Sequence, residues 1–317
     1  MALTLMPRAL HYIEEVGRAG SIQAASRDLG IAASAILRQI TLVEASAGVQ
    51  LFERQADGMR PTPAGERFIV LARRWRADAN GLWSEIKKLQ GVDMGHVRLA
   101  AMDSQTNGVL PILVARLARD FPKVQLEVEV LSPDAAIAAL DDGLAEVALA
   151  FNIRPRRDLH VLWLATLPLG CIMAPDHPLA AVGNPTLRDV ATHPIAAQSR
   201  SLTIRRLLER RHGWLFAADG LPLVTNSLQL LKQVVASGSH VALTSELDAA
   251  PEILNGSLLF VPLRDPAITE QSVSVVISAN RTLPRIATRV AEALASEVDD
   301  QLARVRACAQ SPPRKSE

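Results

Sequence analysis

Only two cysteines, Cys171 and Cys308, occur in the 317 residues. They stand far apart with no ligand-spaced partners, so neither a disulfide framework nor a zinc site is expected and both are read as reduced thiols. Continuous apolar sequence is also lacking. With 49% hydrophobic and 21% charged residues the chain is too polar for a membrane protein. The opening MALTLMPRALHYIEE has no basic stretch followed by an apolar run and a small-residue cleavage site. Neither export nor membrane insertion is indicated, and the cytoplasm is the expected location. Catalytic signatures are missing too: there is no GxGxxG or GxxxxGK[ST] phosphate loop, no HExxH and no GxSxG. The seven histidines, His11, His96, His160, His177, His193, His212 and His240, are scattered without metal-ligand spacing. An enzyme, a resident cofactor and a metal centre are therefore not expected. Repeats and low-complexity tracts are absent, and the net charge of +1 decides nothing, because nucleic-acid binding depends on where charge lies.

The length suffices for two or three packed cores. Up to Leu89 twelve Lys and Arg oppose nine Asp and Glu, which leaves this part mildly basic. From residue 10 to 47 apolar residues recur at helical spacing, punctuated by Gly17, Gly20, Gly30 and Gly48, a pattern of three short helices with tight turns and Ser21 as N-cap of the second. VQLFERQADGMRPT then reads as a small hairpin turning at Asp57-Gly58. A new helix is expected at Pro63 with Thr62 as its cap, running to about residue 90 through Gly81. On that helix Phe68, Leu71, Leu82, Ile86 and Leu89 form a stripe that either pairs with a second copy or packs on its own domain.

After a hinge at 91–95 the character changes. HVRLAAM, VQLEVEVL, EVALAF and residues 160–173 read as strands, with helical patterns between the earlier ones, which predicts an α/β domain with mainly parallel pairing. Further on come helices at about 203–212 and 227–237, strands at VALTS, SLLFVPL and SVSVVIS, and a last helix over 284–307. The tail, AQSPPRKSE, is expected to be disordered.

The segment LHYIEEVGRAGSIQAASRDLGIAASAILRQITLVEASAGVQLFERQADGMRPTPAGERF resembles the DNA-binding domain of LysR-type transcriptional regulators. In its third helix, if Ile36, Ile40 and Val43 face the core, then Ala33, Ser34, Leu37, Arg38 and Thr41 face outward, the face that would enter a major groove. Arg38 is the candidate for direct readout, since a guanidinium can bind guanine in bidentate fashion; a phosphate contact or an intrahelical pair is the alternative. Arg54 and Arg60 flank the wing as candidate backbone contacts. The chain departs from the family in placing Ala32, Ala33 and Leu37 where polar groups are usual. That reduces the base edges within reach of hydrogen bonds and leaves DNA shape, or weak recognition, as possibilities.

The remainder resembles the family's effector domain, with the two-lobed fold of periplasmic binding proteins. The order of LAEVALAF, APDHPLA and NSLQLLKQVVASGSHVALTS carries the likeness. The resemblance implies an α/β protein with an all-α, winged-helix N-terminal domain. The winged helix-turn-helix takes residues 1–62, a linker and dimerisation helix 63–90, the hinge 91–95, the effector-binding domain 96–308 and the tail 309–317. Lobe I comprises about 96–164 and 268–308, lobe II about 165–267, with crossings near 164–167 and 262–268.

Effector contacts are expected at Ser104, Gln105 and Thr106 after the first strand and at Ser199, Ser201, Leu202 and Thr203 in the matching place of lobe II. Phe151, Asn152 and Asn226 complete the wall, because loops at strand ends and helix N-termini line such clefts. Each of the Ser, Thr and Asn residues has an alternative reading as an ordinary helix cap or turn residue. Arg154, Arg200 and Arg205 are near enough in sequence to meet a carboxylate, or else are solvated. His240 stands where relatives have glycine; it could alter the turn, reach the cleft, or be a locally paired buried group. The implied partners are double-stranded DNA, a small-molecule effector and further copies of the chain, as homodimer or homotetramer, with no membrane. The alternative is a cytoplasmic solute-binding or sensing protein with weak or non-specific DNA binding.

Overall fold

A computed structural model describes residues 5–56, 58–89, 94–216, 221–265, 268, 270–281 and 283–310. The chain divides into two compact units, Met1–Gly95 with Asp141–Leu144, and His96–Leu140 with Ala145–Glu317.

The first unit opens with three helices, α1 (Arg8–Ala19), α2 (Ile22–Leu29) and α3 (Ala33–Ala47). Ser21 caps α2 by accepting the Ala24 amide at 3.1 Å, and Gly20, Gly30 and Gly48 end the three helices in left-handed conformation, where a side chain would be strained. Gly17 does not punctuate. It lies inside α1, where an added Cβ would meet the tip of Ile69 at 2.5 Å, so its small size serves packing rather than a turn. The axes of α2 and α3 turn by 118°, an angle that places one helix across the other with Ala25 fully buried in this core. Strands β1 (Phe52–Gln55) and β2 (Gly58–Pro61) form an antiparallel hairpin. Asp57, half of the expected turn, lies outside the described residues. The Met59 amide donates to the Gly20 carbonyl at 2.7 Å and fastens this wing to the α1–α2 turn.

Helix α4 (Pro63–Leu89) starts where Thr62 accepts the Gly65 amide at 3.1 Å, and it passes through Gly81 unbroken. Its apolar residues divide between two surroundings. Phe68 packs on the core of its own unit with Ile69, whereas Leu71 and Leu82 are exposed, as are Trp75 and Trp83. Phe68 therefore leaves the expected stripe; the Leu89 side chain lies outside the described ones. No single described helix is long and apolar enough to cross a membrane.

Strand β3 (Gly95–Ala101) lies in the second unit except for its first residue, so Gly95 belongs to a strand rather than to the hinge expected at 91–95, whose residues 91–93 lie outside the described ones. Then follow α5 (Val109–Asp120), β4 (Val124–Val130), α6 (Pro133–Asp141), β5 (Val147–Phe151), β6 (Leu159–Leu167), β7 (Leu169–Met173), α7 (Leu187–Val190), β8 (Ala196–Gln198) and α8 (Thr203–His212). The order continues with β9 (Leu223–Thr225), α9 (Leu228–Ala236), β10 (Ala242–Ser245), α10 (Ala250–Leu254), β11 (Leu259–Pro262), β12 (Gln271–Ser278) and α11 (Arg285–Gln310). The apolar run over 160–173 is two strands separated at Pro168, where the chain leaves a five-stranded sheet (β4-β3-β5-β12-β6) for a three-stranded one (β10-β7-β11).

Pairing is mixed rather than mainly parallel. β3 and β5 run parallel, as do β8 and β9, but β12 is antiparallel to both β5 and β6, and β7 is antiparallel to β10 and β11. The reason is connectivity. A chain that leaves the first lobe through β6 and returns through β12 inserts the returning strand against the direction of its neighbours, which alternation of helix and strand in sequence does not reveal. Short strands β8 and β9 and short helices α7 and α10 carry too few residues for a periodic signal. α11 extends to Gln310, so Ala309 and Gln310 belong to the last helix and not to the tail; 311–317 lie outside the described residues.

Cys171 is buried in the three-stranded sheet and Cys308 is exposed on α11. Burial pushes the Cys171 thiol up to about 12, far from the thiolate needed for reaction. Titration with a thiol reagent near neutral pH is expected to find one fast thiol in the native protein and two in denaturant, and Cys308→Ser should abolish the fast one. Two equally fast native thiols would contradict this placement.

Candidate functional site

The first candidate surface is the outer face of α3. Helical periodicity puts Ile36 and Ile40 into the core of this unit, each contributing about 1.5–3 kcal/mol by burial, and this fixes the opposite face outward. Ser34, Leu37, Arg38 and Thr41 are exposed there, while Ala33 is only partly exposed and packs against the core. Val43 is half-buried, as its position predicts. Arg38 has no ion-pair or hydrogen-bond partner among the described residues, because no acid stands three or four positions away. The intrahelical pair is therefore not formed. Leu42, more than half exposed at 53%, belongs to the same outer surface and was not singled out from sequence. Arg54 and Arg60 project from the two strands of the wing, both exposed, with Glu53 directly opposite Arg60.

The second candidate is a cavity of about 240 Å³ within the second unit, where strand ends of both lobes meet the N-termini of α8 and α9. Six of the expected effector contacts line it: Ser104, Phe151, Ser201, Leu202, Thr203 and Asn226. Four do not. Gln105 turns into the core, fully buried, with its side-chain nitrogen on Ser104 Oγ at 3.1 Å. The Thr106 hydroxyl donates to the Asp103 carbonyl at 2.7 Å and closes the short 3-10 turn. Asn152, in left-handed conformation (φ 53°), accepts the Ser272 amide at 2.9 Å and donates to Gln271, so it fastens β5 to β12. Ser199 is occupied with Ser201, oxygen to oxygen, at 2.6 Å.

The arginines read as possible carboxylate partners stay off the cavity. Arg200 pairs with Glu209, and Arg205 is buried against the Phe216 ring with its guanidinium carbon 3.7 Å from the centroid; Arg154 is exposed. His240 takes the local option, with Nδ1 2.8 Å from Ser239 Oγ. Sequence reasoning missed residues that arrive from elsewhere in the chain. They are Met102 and Asp103, the segment Val130 to Pro133, Gln198, Ile204, Ser227, Leu228 and Asp248. Strand-end position could have found Val130 and Gln198; nothing local marks Asp248.

Across the two lobes runs a polar network. One Asp103 carboxylate oxygen, Oδ2, accepts from Ser227 Oγ at 3.1 Å and from the Gln229 amide at 3.2 Å, at the start of α9. The Gln229 side-chain nitrogen donates to the Asp103 carbonyl, Thr106 and Asn107 at 2.9–3.0 Å. Lys232, 2% exposed, places Nζ 3.0 Å from Asn107 Oδ1, 3.0 Å from Glu252 Oε1 and 3.1 Å from the Asp248 carbonyl. No group of His, Cys, Asp and Glu suited to a metal ion is present among the described residues.

A helix-turn-helix with an exposed reading face and a two-lobed α/β domain with a cavity at its strand ends define a DNA-binding protein that senses a small molecule. Residues 7–66 match the family described as bacterial regulatory helix-turn-helix protein, lysR family, and residues 90–299 match the LysR substrate binding domain. The chain belongs to the LysR family of transcriptional regulators; it is not an enzyme. A probable nitrogen assimilation transcriptional activator of Synechococcus elongatus is 27% identical over 274 residues, covering 86% of this chain and 88% of the relative. Among solved structures, full-length CbnR complexed with its target DNA is similar with TM-score 0.60 at 18% identity, over 92% of this chain and 99% of that one. Full-length LysG from Corynebacterium glutamicum with bound effector Arg is similar with TM-score 0.63 at 19% identity, over 93% and 99%.

Proposed function

We propose that this regulator reads DNA with Ser34, Leu37, Arg38 and Thr41 of α3, with Ala33 at the edge of that face and Arg54 and Arg60 on the flanking phosphates. It works in the cytoplasm as a homodimer or homotetramer, and a small molecule in the 240 Å³ cavity sets its activity. The observation that carries the reading is the unpartnered Arg38 at the centre of an exposed α3 face whose opposite side is locked into the core. Leu71, Trp75, Leu82 and Trp83, exposed on one long helix, supply the apolar area for pairing with a second copy. Effector binding can shift the regulator only by its differential affinity for two arrangements of the chain.

The test is capture of genomic fragments by the purified protein at two salt concentrations, with light scattering to count subunits. Wild-type protein is expected to enrich fragments sharing a roughly palindromic motif. Arg38→Ala should weaken binding to that motif by about 10- to 100-fold, the loss of one bidentate base contact. Arg54→Ala should weaken all sequences alike and lower the salt slope by about one. Motif-free binding, equally lost with salt in wild type and Arg38→Ala, would replace this reading with that of a sensor that binds DNA non-specifically.

A further inference from the structure

Three residues that line the cavity each carry an acceptor atom with no donor among the described residues. Asp103 uses Oδ2 for Ser227 and Gln229, and among the described residues its Oδ1 has no partner. Asp248, 4% exposed, likewise takes Thr244 Oγ1 at 2.7 Å and Ser245 Oγ at 3.0 Å on Oδ2, and among the described residues its Oδ1 has no donor. Gln198, 6% exposed, must present its nitrogen to the Leu243 carbonyl, 3.2 Å away, because a carbonyl accepts and cannot donate; its Oε1 is thereby turned from that bond and has no partner among the described residues. Acceptors on the wall of a cavity with no protein donor, two of them carboxylate oxygens, are open to N–H or O–H groups brought by a ligand. None of the lining residues is Lys, Arg or His, so no cationic donor stands in the wall.

The two helix N-termini at the cavity differ in the opposite sense. That of α9 is already filled by the chain's own Asp103 carboxylate and by Ser227, which accepts the Leu230 amide. That of α8 has Leu202 at the cap position and no side-chain acceptor, and its first residues, Thr203 and Ile204, line the cavity. One place for an anionic group therefore remains open, beside unmatched acceptors for a cationic one. Met102, Val130, Leu131, Phe151 and Leu228 supply apolar wall, with the neutral polar groups of Ser104, Ser132, Ser201 and Asn226 among them.

We propose that the effector of this regulator is an amine, an amino-acid-sized zwitterion whose ammonium group is received by Asp103, Asp248 and Gln198 and whose carboxylate meets the N-terminus of α8. This rests on the reading of the cavity as the effector site. Asp103 is then the specificity-determining residue: by occupying the α9 N-terminus it removes the second anion position and disfavours dicarboxylates.

The experiment is thermal shift and calorimetric titration of the full-length protein against the proteinogenic amino acids, their 2-oxo acid counterparts of the same carbon skeleton, and succinate. One or more amino acids are expected to raise Tm saturably and to bind at least tenfold more tightly than the matching 2-oxo acid. Asp103→Asn and the isosteric Asp248→Asn should each lower amino-acid affinity about tenfold and shrink the preference over the 2-oxo acid, with the ligand-free Tm reporting whether each variant folds. Should one fold poorly, the wild-type preference for amine over 2-oxo acid still decides the question. Saturable binding of 2-oxo acids or succinate without the amines, blocked by Ser201→Trp, would leave the effector cavity standing and overturn the amine assignment. Amine binding unaffected by Ser201→Trp would place the ligand elsewhere and overturn both. A panel with no bound amine overturns the assignment alone.

Discussion

Gly65→Ala is expected to destabilise the winged unit by about 3 kcal/mol, at the upper end for an overpacked site. Gly65 sits in the first turn of α4, and a Cβ there would lie 2.0 Å from the Leu51 carbonyl oxygen and 3.3 Å from Pro61 Cβ. Leu51 is fully buried, and its carbonyl already accepts the Thr62 amide at 2.9 Å, so the obstructing atom is backbone held from two sides. No rotamer change relieves the contact; α4 or the wing must move, and the wing carries Arg54 and Arg60. Thermal unfolding followed by circular dichroism should show an earlier transition together with lost DNA binding. Gly17→Ala provides the comparison, since it meets only the end of the Ile69 side chain and is expected to cost less. Equal stability of Gly65→Ala and wild type would show that the close approach of the two backbones can relax.

Lys232→Met should cost about 3–5 kcal/mol in the second unit, the range for removing one partner of a buried ion pair. Three ammonium protons meet three acceptors at 3.0–3.1 Å, and Glu252, whose Oε2 already has no partner among the described residues, would keep among them the side-chain donor Asn107 Nδ2 at 2.7 Å alone. Because Asn107 follows the first strand of one lobe while Lys232, Asp248 and Glu252 belong to the other, the loss should also loosen the lobes against each other. The double variant Lys232→Met/Glu252→Gln is expected to recover part of the stability, since it removes both charges. Chemical denaturation of the three proteins measures the cycle. A single variant as stable as wild type would mean that water replaces Lys232 at these acceptors.

Much of the DNA-binding end was legible because its signals are local. Gly20, Gly30 and Gly48 stop helices, Ser21 and Thr62 cap them, and the spacing of Ile36 and Ile40 decides which face of α3 remains outside. Gly17 was misread as punctuation because a glycine needed for close packing and one needed for a left-handed turn look alike in sequence. In the sensing domain the expected cavity residues were chosen as polar positions after strands. That criterion also picked Gln105, which turns into the core, Thr106, which closes a turn, and Asn152, which joins two strands.

The sequence by itself determined family membership, the helix-turn-helix, the long helix and the succession of α and β elements, since each depends on periodicity and turn chemistry within about thirty residues. Tertiary structure alone decided that β12 enters its sheet antiparallel, that Phe68 belongs to the core while Leu71 and Leu82 do not, and that Asp103, Gln198 and Asp248 face one cavity. The physical reason is the same in each case. Which side of a strand or helix meets which neighbour depends on contacts between segments distant in sequence, and no local pattern encodes which segments those will be.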